Sequence, residues 1–214
     1  FNRVTHNEIS DGSYTGISVG WSWNYRTDVF QKGNVIEANH IHHLMNYQLS
    51  DGGGIYTLGH QPGAVVRGNV IHDIHNYPGV HGAKGLYPDQ GSSEILFENN
   101  LCYRVHQGFG KHWGQDNLVR NNIFAFCEEA EFTRGRGRNE EYKTDRPMLF
   151  RRNILLGSHG AMVHGKILIS NLESDRNLYW NTAGEELRFE IPAGDLSWEE
   201  WRELGFDRHS LDRK

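Results

Sequence analysis

The chain has 214 residues, 37% of them hydrophobic, with 25 glycines, 13 histidines and a formal net charge of −5. Negative charge spread along the chain argues against nucleic acid or an anionic membrane as partner, and no apolar run approaches the ~18 residues of a membrane span. Cys102 and Cys127 are too few for a disulfide framework, and a Gly-rich chain of modest apolar content suits a thin-cored β architecture better than a helical bundle.

The chain opens at Phe1-Asn2-Arg3, without a starting Met, so a leader or an upstream domain is expected to be missing from it, and Val4 already falls inside a short apolar block, RVTHNEI (3–9). The block joins two apolar residues, two variable ones, Asn, one variable residue and another apolar one. It returns as VIEANHI (35–41), VVRGNVI (65–71), LFENNLC (96–102), LVRNNIF (118–124) and LFRRNIL (149–155), and in worn form as RNLYW (176–180). Its asparagines, Asn7, Asn39, Asn69, Asn100, Asn122, Asn153 and Asn177, are 32, 30, 31, 22, 31 and 24 residues apart. Such a period of short β-type blocks predicts a solenoid. The fold expected is an all-β parallel β-helix of about seven turns, each laid about 4.8 Å from the last. Asn tolerates the left-handed conformation of a sharp bend, and stacked Asn side chains hydrogen-bond from turn to turn. The residues two before the Asn read Glu37, Arg67, Glu98, Arg120 and Arg151. Opposite charges stacked in this way favour in-register strands by a few tenths of a kcal/mol per pair.

A second strand follows each block: GISVG (16–20), GIYTLG (54–59), GLYPDQG (85–91), GFGKHWG (108–114), AEFTRG (130–135) and GAMVHG (160–165). Ile17, Ile55, Leu86 and Phe109 should point into the core, and by alternation two columns point outward. The first reads Ser18, Tyr56, Tyr87, Gly110, Phe132, Met162; the second reads Gly20, Leu58, Asp89, His112, Arg134, His164. Trp21, Trp23, Tyr25 and Trp113 lie in or beside this strip. Aromatic platforms with Asp, His and Arg suit a sugar chain, because rings stack on pyranose faces while charged groups fix hydroxyls and move protons.

Asp51 stands three positions before Gly54, and Asp89 one turn further on. Glycoside hydrolysis commonly needs two carboxylates flanking the bond, about 5–5.5 Å apart for retention and about 6.5–9.5 Å apart for inversion. The triple glycine of SDGGG (50–54) is expected to bring backbone close to substrate and to turn Asp51 into the cleft. Asp-Gly is also ordinary turn chemistry, as at Asp11 in SDGSYTG. His112 and His106 offer hydrogen bonds or charge near Asp89, and Lys84, Lys111 and Arg134 offer anchors for a carboxylated sugar, although Lys111 falls on the inward parity. The pairs His42-His43 and His72-Asp73 read as a surface ladder rather than a metal site, no calcium-loop spacing occurs, and no cofactor is expected.

Beyond 182 the character changes. LRFEI (187–191) alternates like a strand, and SWEEWRELG (197–205) reads as one short helix, with Ser197 and Glu200 as a capping box and Gly205 as the stop. The division expected is a β-helix over 1–182 and a C-terminal strand and helix over 183–214, cut short. Open solenoid ends expose strand edges, so further domains of the same chain or a homo-oligomer should cover them.

The stacked Asn blocks with Gly-rich connections resemble the right-handed parallel β-helix of the pectate-lyase-like superfamily over about residues 1–182. More narrowly, SDGGGIYTLGHQPG, GNVIHDI and GLYPDQGSS resemble bacterial β-helix proteins that include a glycoside hydrolase family with α-L-fucosidase and xylanase members. Similar proteins also carry the "W…G.D..S" segment seen here at Trp201, Gly205, Asp207 and Ser210. The resemblance implies a secreted or periplasmic enzyme hydrolysing plant or algal polysaccharide. Asp51 and Asp89 would be acid and base or nucleophile, with His112 beside them. Tyr56, Tyr87, Trp113, Lys84, Lys111, Arg134, Trp21 and Trp23 would bind sugar. Where similar sequences often carry a second acidic residue after Asp89, this chain has Gln90. Two other readings stay open: a polysaccharide lyase acting on uronates through Lys111 or Arg134, and a non-catalytic carbohydrate-binding β-helix.

Overall fold

Each repeated block folds as two short strands with the ladder asparagine at the bend between them, and the Gly-led segment that follows makes a third strand. A computed structural model describes residues 1–23, 28, 30–78, 81–135, 146–159, 161–167, 169–192 and 194–213; Tyr25 lies outside them. In it the chain winds as a parallel β-helix with three sheets, here A, B and C. Sheet A stacks seven strands from Arg3–Thr5 to Leu172–Asp175, and sheet B stacks eight from Glu8–Ser10 to Leu211–Arg213. Sheet C runs from Ile17–Val19 to Arg188–Ile191, where the antiparallel strand Gly194–Leu196 closes its edge.

The bends are built differently from the expectation. The left-handed residue is the one before each ladder Asn: His6, Ala38, Gly68, Asn99, Asn121, Arg152 and Arg176 have φ between 54° and 63°. The ladder Asn itself is spent on hydrogen bonding. Asn69 donates its backbone N–H and its side-chain amide to Asn100 Oδ1 at 3.0 and 2.9 Å, and Asn100 donates likewise to Asn122. The chain of contacts runs from Asn7 to Asn177. Asn39 to Asn177 are buried, where each amide group would otherwise lose its water partners. The charge column holds its predicted register, Glu37 beside Arg67 and Glu98 beside Arg120. Arg67 bonds Glu37 at 2.7 Å and Arg120 bonds Glu98 at 2.8 Å.

Apolar columns from the three sheets meet in a narrow core. Ile36, Val66, Phe97, Val119 and Phe150 come from sheet A, and Ile41, Ile71, Cys102, Phe124 and Leu155 from sheet B. Sheet C adds Ile55, Leu86, Phe109, Phe132, Val163 and Phe189. Phe132 and Phe150 stack at 4.9 Å, and both cysteines are free and buried.

Phe132 and Met162 are therefore core residues, not members of the outward aromatic column. The predicted alignment slips because Glu131 occupies the column held by Gly54, Gly85 and Gly108 on earlier turns, so no glycine marks the register there. Arg134 consequently pairs with Lys111, and His164 with Thr133.

The triple glycine serves packing between turns. A Cβ on Gly53 would sit 2.2 Å from the Lys84 carbonyl oxygen, and one on Gly54 would sit 2.5 Å from Ile71. The requirement for glycine comes from neighbouring turns, not from the approach of a substrate.

The C-terminal segment is built into the same stack. Arg188–Ile191 adds to sheet C and Leu211–Arg213 to sheet B. Between them the helix Trp198–Glu203 carries the predicted capping box. The "W…G.D..S" residues converge on Asp207, which is buried. It accepts hydrogen bonds from Ser174, Asn177, Tyr179, Trp201 and Ser210 at 2.6–2.9 Å. Ser210 Oγ accepts the Asn177 N–H at 2.7 Å, which terminates the asparagine ladder.

Candidate active-site groove

Tyr56 and Tyr87 stand in register on adjacent strands of sheet C, Gly53–Thr57 and Lys84–Pro88, both pointing outward. Their rings meet edge to face at 4.9 Å. Each hydroxyl crosses to the carboxylate of the other's turn. Tyr87 donates to Asp51 Oδ1 at 2.8 Å, and Tyr56 donates to Asp89 Oδ2. Asp51 and Asp89 thus line one groove of about 570 Å³, held by a crossed pair of tyrosines. Asp51 sits in the left-handed region at φ 59° just before the glycines, at the exposed rim.

Asp89 lies deeper, 4% exposed, and its Oδ1 is 2.7 Å from His112 Nδ1. Burial pushes its carboxyl up, but the hydrogen bonds from His112 and Tyr56 outweigh burial and hold it below the usual carboxylate range. Asp89 is therefore an anion at neutral pH. Burial, and then the acidic neighbours, push both tyrosine hydroxyls well above their ordinary range, so each remains a proton donor.

Lys84, Lys111 and Arg134 line the same groove, which gathers three cations around two aspartates. Gly110 makes this possible: its missing side chain is the space through which the Lys84 stem passes, since a Cβ there would meet Lys84 Cγ at 2.3 Å. Lys84 Nζ lies 3.9 Å from the Tyr87 ring centroid and donates to the Gly82 carbonyl at 2.6 Å. Burial pushes its ammonium down to about 8, against the opposing pull of Asp51 and Asp89. Arg134 donates to the Lys166 carbonyl, and Lys111 is buried as its inward parity requires, yet at the strand end it still borders the groove.

The aromatic platforms are redistributed. Tyr56, Tyr87 and Trp113 are 5%, 4% and 3% exposed, too little to offer a ring face. Described residues after Val19 lie against the outer face of sheet C: Gln31 donates to the Leu58 carbonyl, and Trp21 lies 6.2 Å from Tyr56. Lys84 covers Tyr87. Of the described aromatics predicted to bind sugar, Trp21 and Trp23, 63% and 48% exposed and 6.1 Å apart, present their rings to solvent, with Trp23 bordering the groove.

One acidic residue of the groove was not among the predicted site residues. Glu129 accepts from Gln107 at 2.5 Å and lies 3.1 Å from His164 Nδ1 and 3.6 Å from His106 Nε2. Its signal in the sequence is position: it precedes its sheet C strand in the connection that supplies Asp51 three turns earlier. Burial lowers the proton affinity of His106, which belongs to this third carboxylate rather than to Asp89.

Among the described residues no helix is long and apolar enough to cross a membrane. No curated protein and no solved structure matches the chain. One family profile, described as "Right handed beta helix region", matches residues 1–165, which with the stacked parallel sheets settles the family. The chain belongs to the right-handed β-helix family.

Proposed function

We propose that the protein is a glycoside hydrolase of plant or algal polysaccharide or oligosaccharide, working in the sheet C groove with Asp51 and Asp89 as its two carboxylates. The family fits a carbohydrate-active β-helix protein. The observation that carries the finer reading is the crossed clamp, which sets two carboxylates from consecutive turns into one groove with Tyr87 and Tyr56 as their donors. Asp89, kept ionised by His112, is suited to act as base or nucleophile. Asp51 at the rim takes the complementary role of the pair, on the side of the leaving oxygen. Lys84, Lys111 and Arg134 supply positive charge for an acidic sugar, and Trp21 and Trp23 supply the stacking faces. Such a substrate would be met outside the cytoplasm.

Lys84 favours one competing reading. An amine pushed down to about 8 beside two aspartates suits a base that removes the proton next to a uronate carboxylate, as a polysaccharide lyase requires. The products separate the two. Incubation with neutral and uronate-containing polysaccharides should release new reducing ends without the ultraviolet absorbance of an unsaturated uronate. Products that absorb would establish elimination instead, and binding without any new ends would leave a carbohydrate-binding β-helix.

A further inference from the structure

His40 and His42 alternate along the sheet B strand His40–Leu44, so both project from the outer face of the solenoid, with Ile41 between them in the core. Glu8 is the register partner of His40 on the turn before. One ligating atom from each of Glu8, His40 and His42 lies within 4.8 Å of the other two. Glu8 Oε1 is 3.3 Å from His42 Nε2 and 3.8 Å from His40 Nδ1. The next turn adds His72, whose ring stacks on that of His42 at 5.0 Å and 4°.

The nitrogens turned away from Glu8 are also engaged. His40 Nε2 is 2.8 Å from His72 Nε2, and His72 Nδ1 is 2.6 Å from Asp73 Oδ2. Asp73 is gripped by two hydrogen bonds from Arg104, at 2.8 and 2.7 Å. This chain fixes the tautomers in sequence. A carboxylate paired with arginine can only accept, so His72 donates through Nδ1 and presents a bare Nε2. His40 must then donate through Nε2, which turns Nδ1 toward the Glu8 carboxylate, with its lone pair free to ligate in the neutral ring. His42 Nδ1 is likewise occupied, 2.7 Å from His43 Nδ1. A lone pair facing a carboxylate is relieved by a proton or by a metal ion between them.

We propose that Glu8, His40 and His42 form a site for a divalent transition-metal ion such as Zn²⁺, with His72, Asp73, Arg104 and His43 as the outer shell that orients the imidazoles. Two imidazoles and one carboxylate with room for water suit that class of ion better than Ca²⁺ or Mg²⁺, which take oxygen ligands. Hydrogen-bonding the distal nitrogen of each ligating histidine is how metal sites set ring orientation and basicity. A bound ion displaces any proton held between His42 Nε2 and Glu8 Oε1, and that proton passes to solvent. A second trio, His43, His72 and Asp73, also falls within ligand distance. Its carboxylate is already neutralised by Arg104, whereas among the described residues no arginine pairs with Glu8, so Glu8 is the better ligand. The site ties the first turn to the second and lies on a different sheet from the groove, so it is a clamp for the solenoid and not part of the cleft.

The test is titration of the 214-residue chain with Co²⁺, read by visible d–d absorption, followed by displacement with Zn²⁺. The expected result is one saturable ion per chain and a rise in Tm with Zn²⁺. His42→Ala and Glu8→Gln should each weaken binding at least tenfold and abolish the Tm rise. Asp73→Asn, which touches no metal, should weaken it roughly 10–100-fold. His209→Ala, which removes the distant pair with Asp175, should change nothing. Circular dichroism of each variant separates lost binding from lost fold. Absence of saturable binding overturns the proposal, as does binding in His42→Ala or Glu8→Gln as tight as in the parent. Binding lost in His43→Ala but kept in Glu8→Gln overturns it too, in favour of the second trio.

Discussion

Glu131 takes the place where the earlier turns of sheet C have glycine, and it points a carboxyl into the interior beside Cys127. Oε1 accepts the Cys127 N–H at 3.4 Å, while Oε2 is buried without a hydrogen bond among the described residues. Burial raises its pKa from 4.5 to about 8. Between those values the folded chain holds a proton that the unfolded chain has released. Stability therefore falls as pH rises from about 4.5 to about 8. Glu131→Gln, which keeps the shape and removes the titration, should flatten this slope and make the protein more stable than the parent near pH 8; urea unfolding across the range reads it, and parallel slopes would refute it. Asp89 has the opposite sign. Its carboxyl is held low, so its contribution is full at neutral pH and is lost only in acid. The sequence makes both residues visible but not their settings. Glu131 reads as buried only once the register puts it in the glycine column, and the ionised state of Asp89 follows only once His112 and Tyr56 are seen to hold it.

At the scale of elements, the asparagine blocks were the most legible part of the chain, because a ladder repeats the same physics on every turn and leaves a period in the sequence. What the period could not show is which residue bends. Left-handed geometry falls on the residue before the Asn, whose identity varies from Gly68 to Arg152, so it leaves no signature. The ladder also grades stability along the stack. Asn100 is buried and holds partners on both neighbouring turns, whereas Asn7 is exposed at the first turn. Asn100→Ala strands buried donors and acceptors and should cost about 2–3 kcal/mol, and Asn7→Ala less than about 1 kcal/mol. Equal losses in chemical denaturation would show that the ladder is not a cooperative buried element. The aromatic strip was the least legible. It was read from alternation alone, and alternation gives the outward direction of Tyr56 and Tyr87 without revealing that Trp21, from an earlier turn, lies against Tyr56 and that Lys84 lies over Tyr87.

Across the whole molecule, one prism carries three separate groups of polar side chains. Sheet C carries the groove, sheet B the histidine array, and the last turn a plug centred on Asp207. The plug was visible in the sequence as a motif without a reason. The reason is that Asp207 gathers five donors and, with Ser210, finishes the asparagine ladder. Asp207→Ala leaves those groups buried and unpaired and should lower stability by at least about 3 kcal/mol, near 6–12 °C in Tm for a chain of this size; a loss below about 1 kcal/mol would show the plug to be dispensable. The groove makes the stronger claim, that the two crossed aspartates do chemistry. The most direct test is steady-state release of reducing ends by the parent, Asp51→Asn and Asp89→Asn on the best polysaccharide found, with Tm taken alongside. The account predicts kcat down by about 10²–10⁴-fold in each variant, with KM changed only a few-fold and both variants folded. Folded variants that hydrolyse at the parental rate would contradict it.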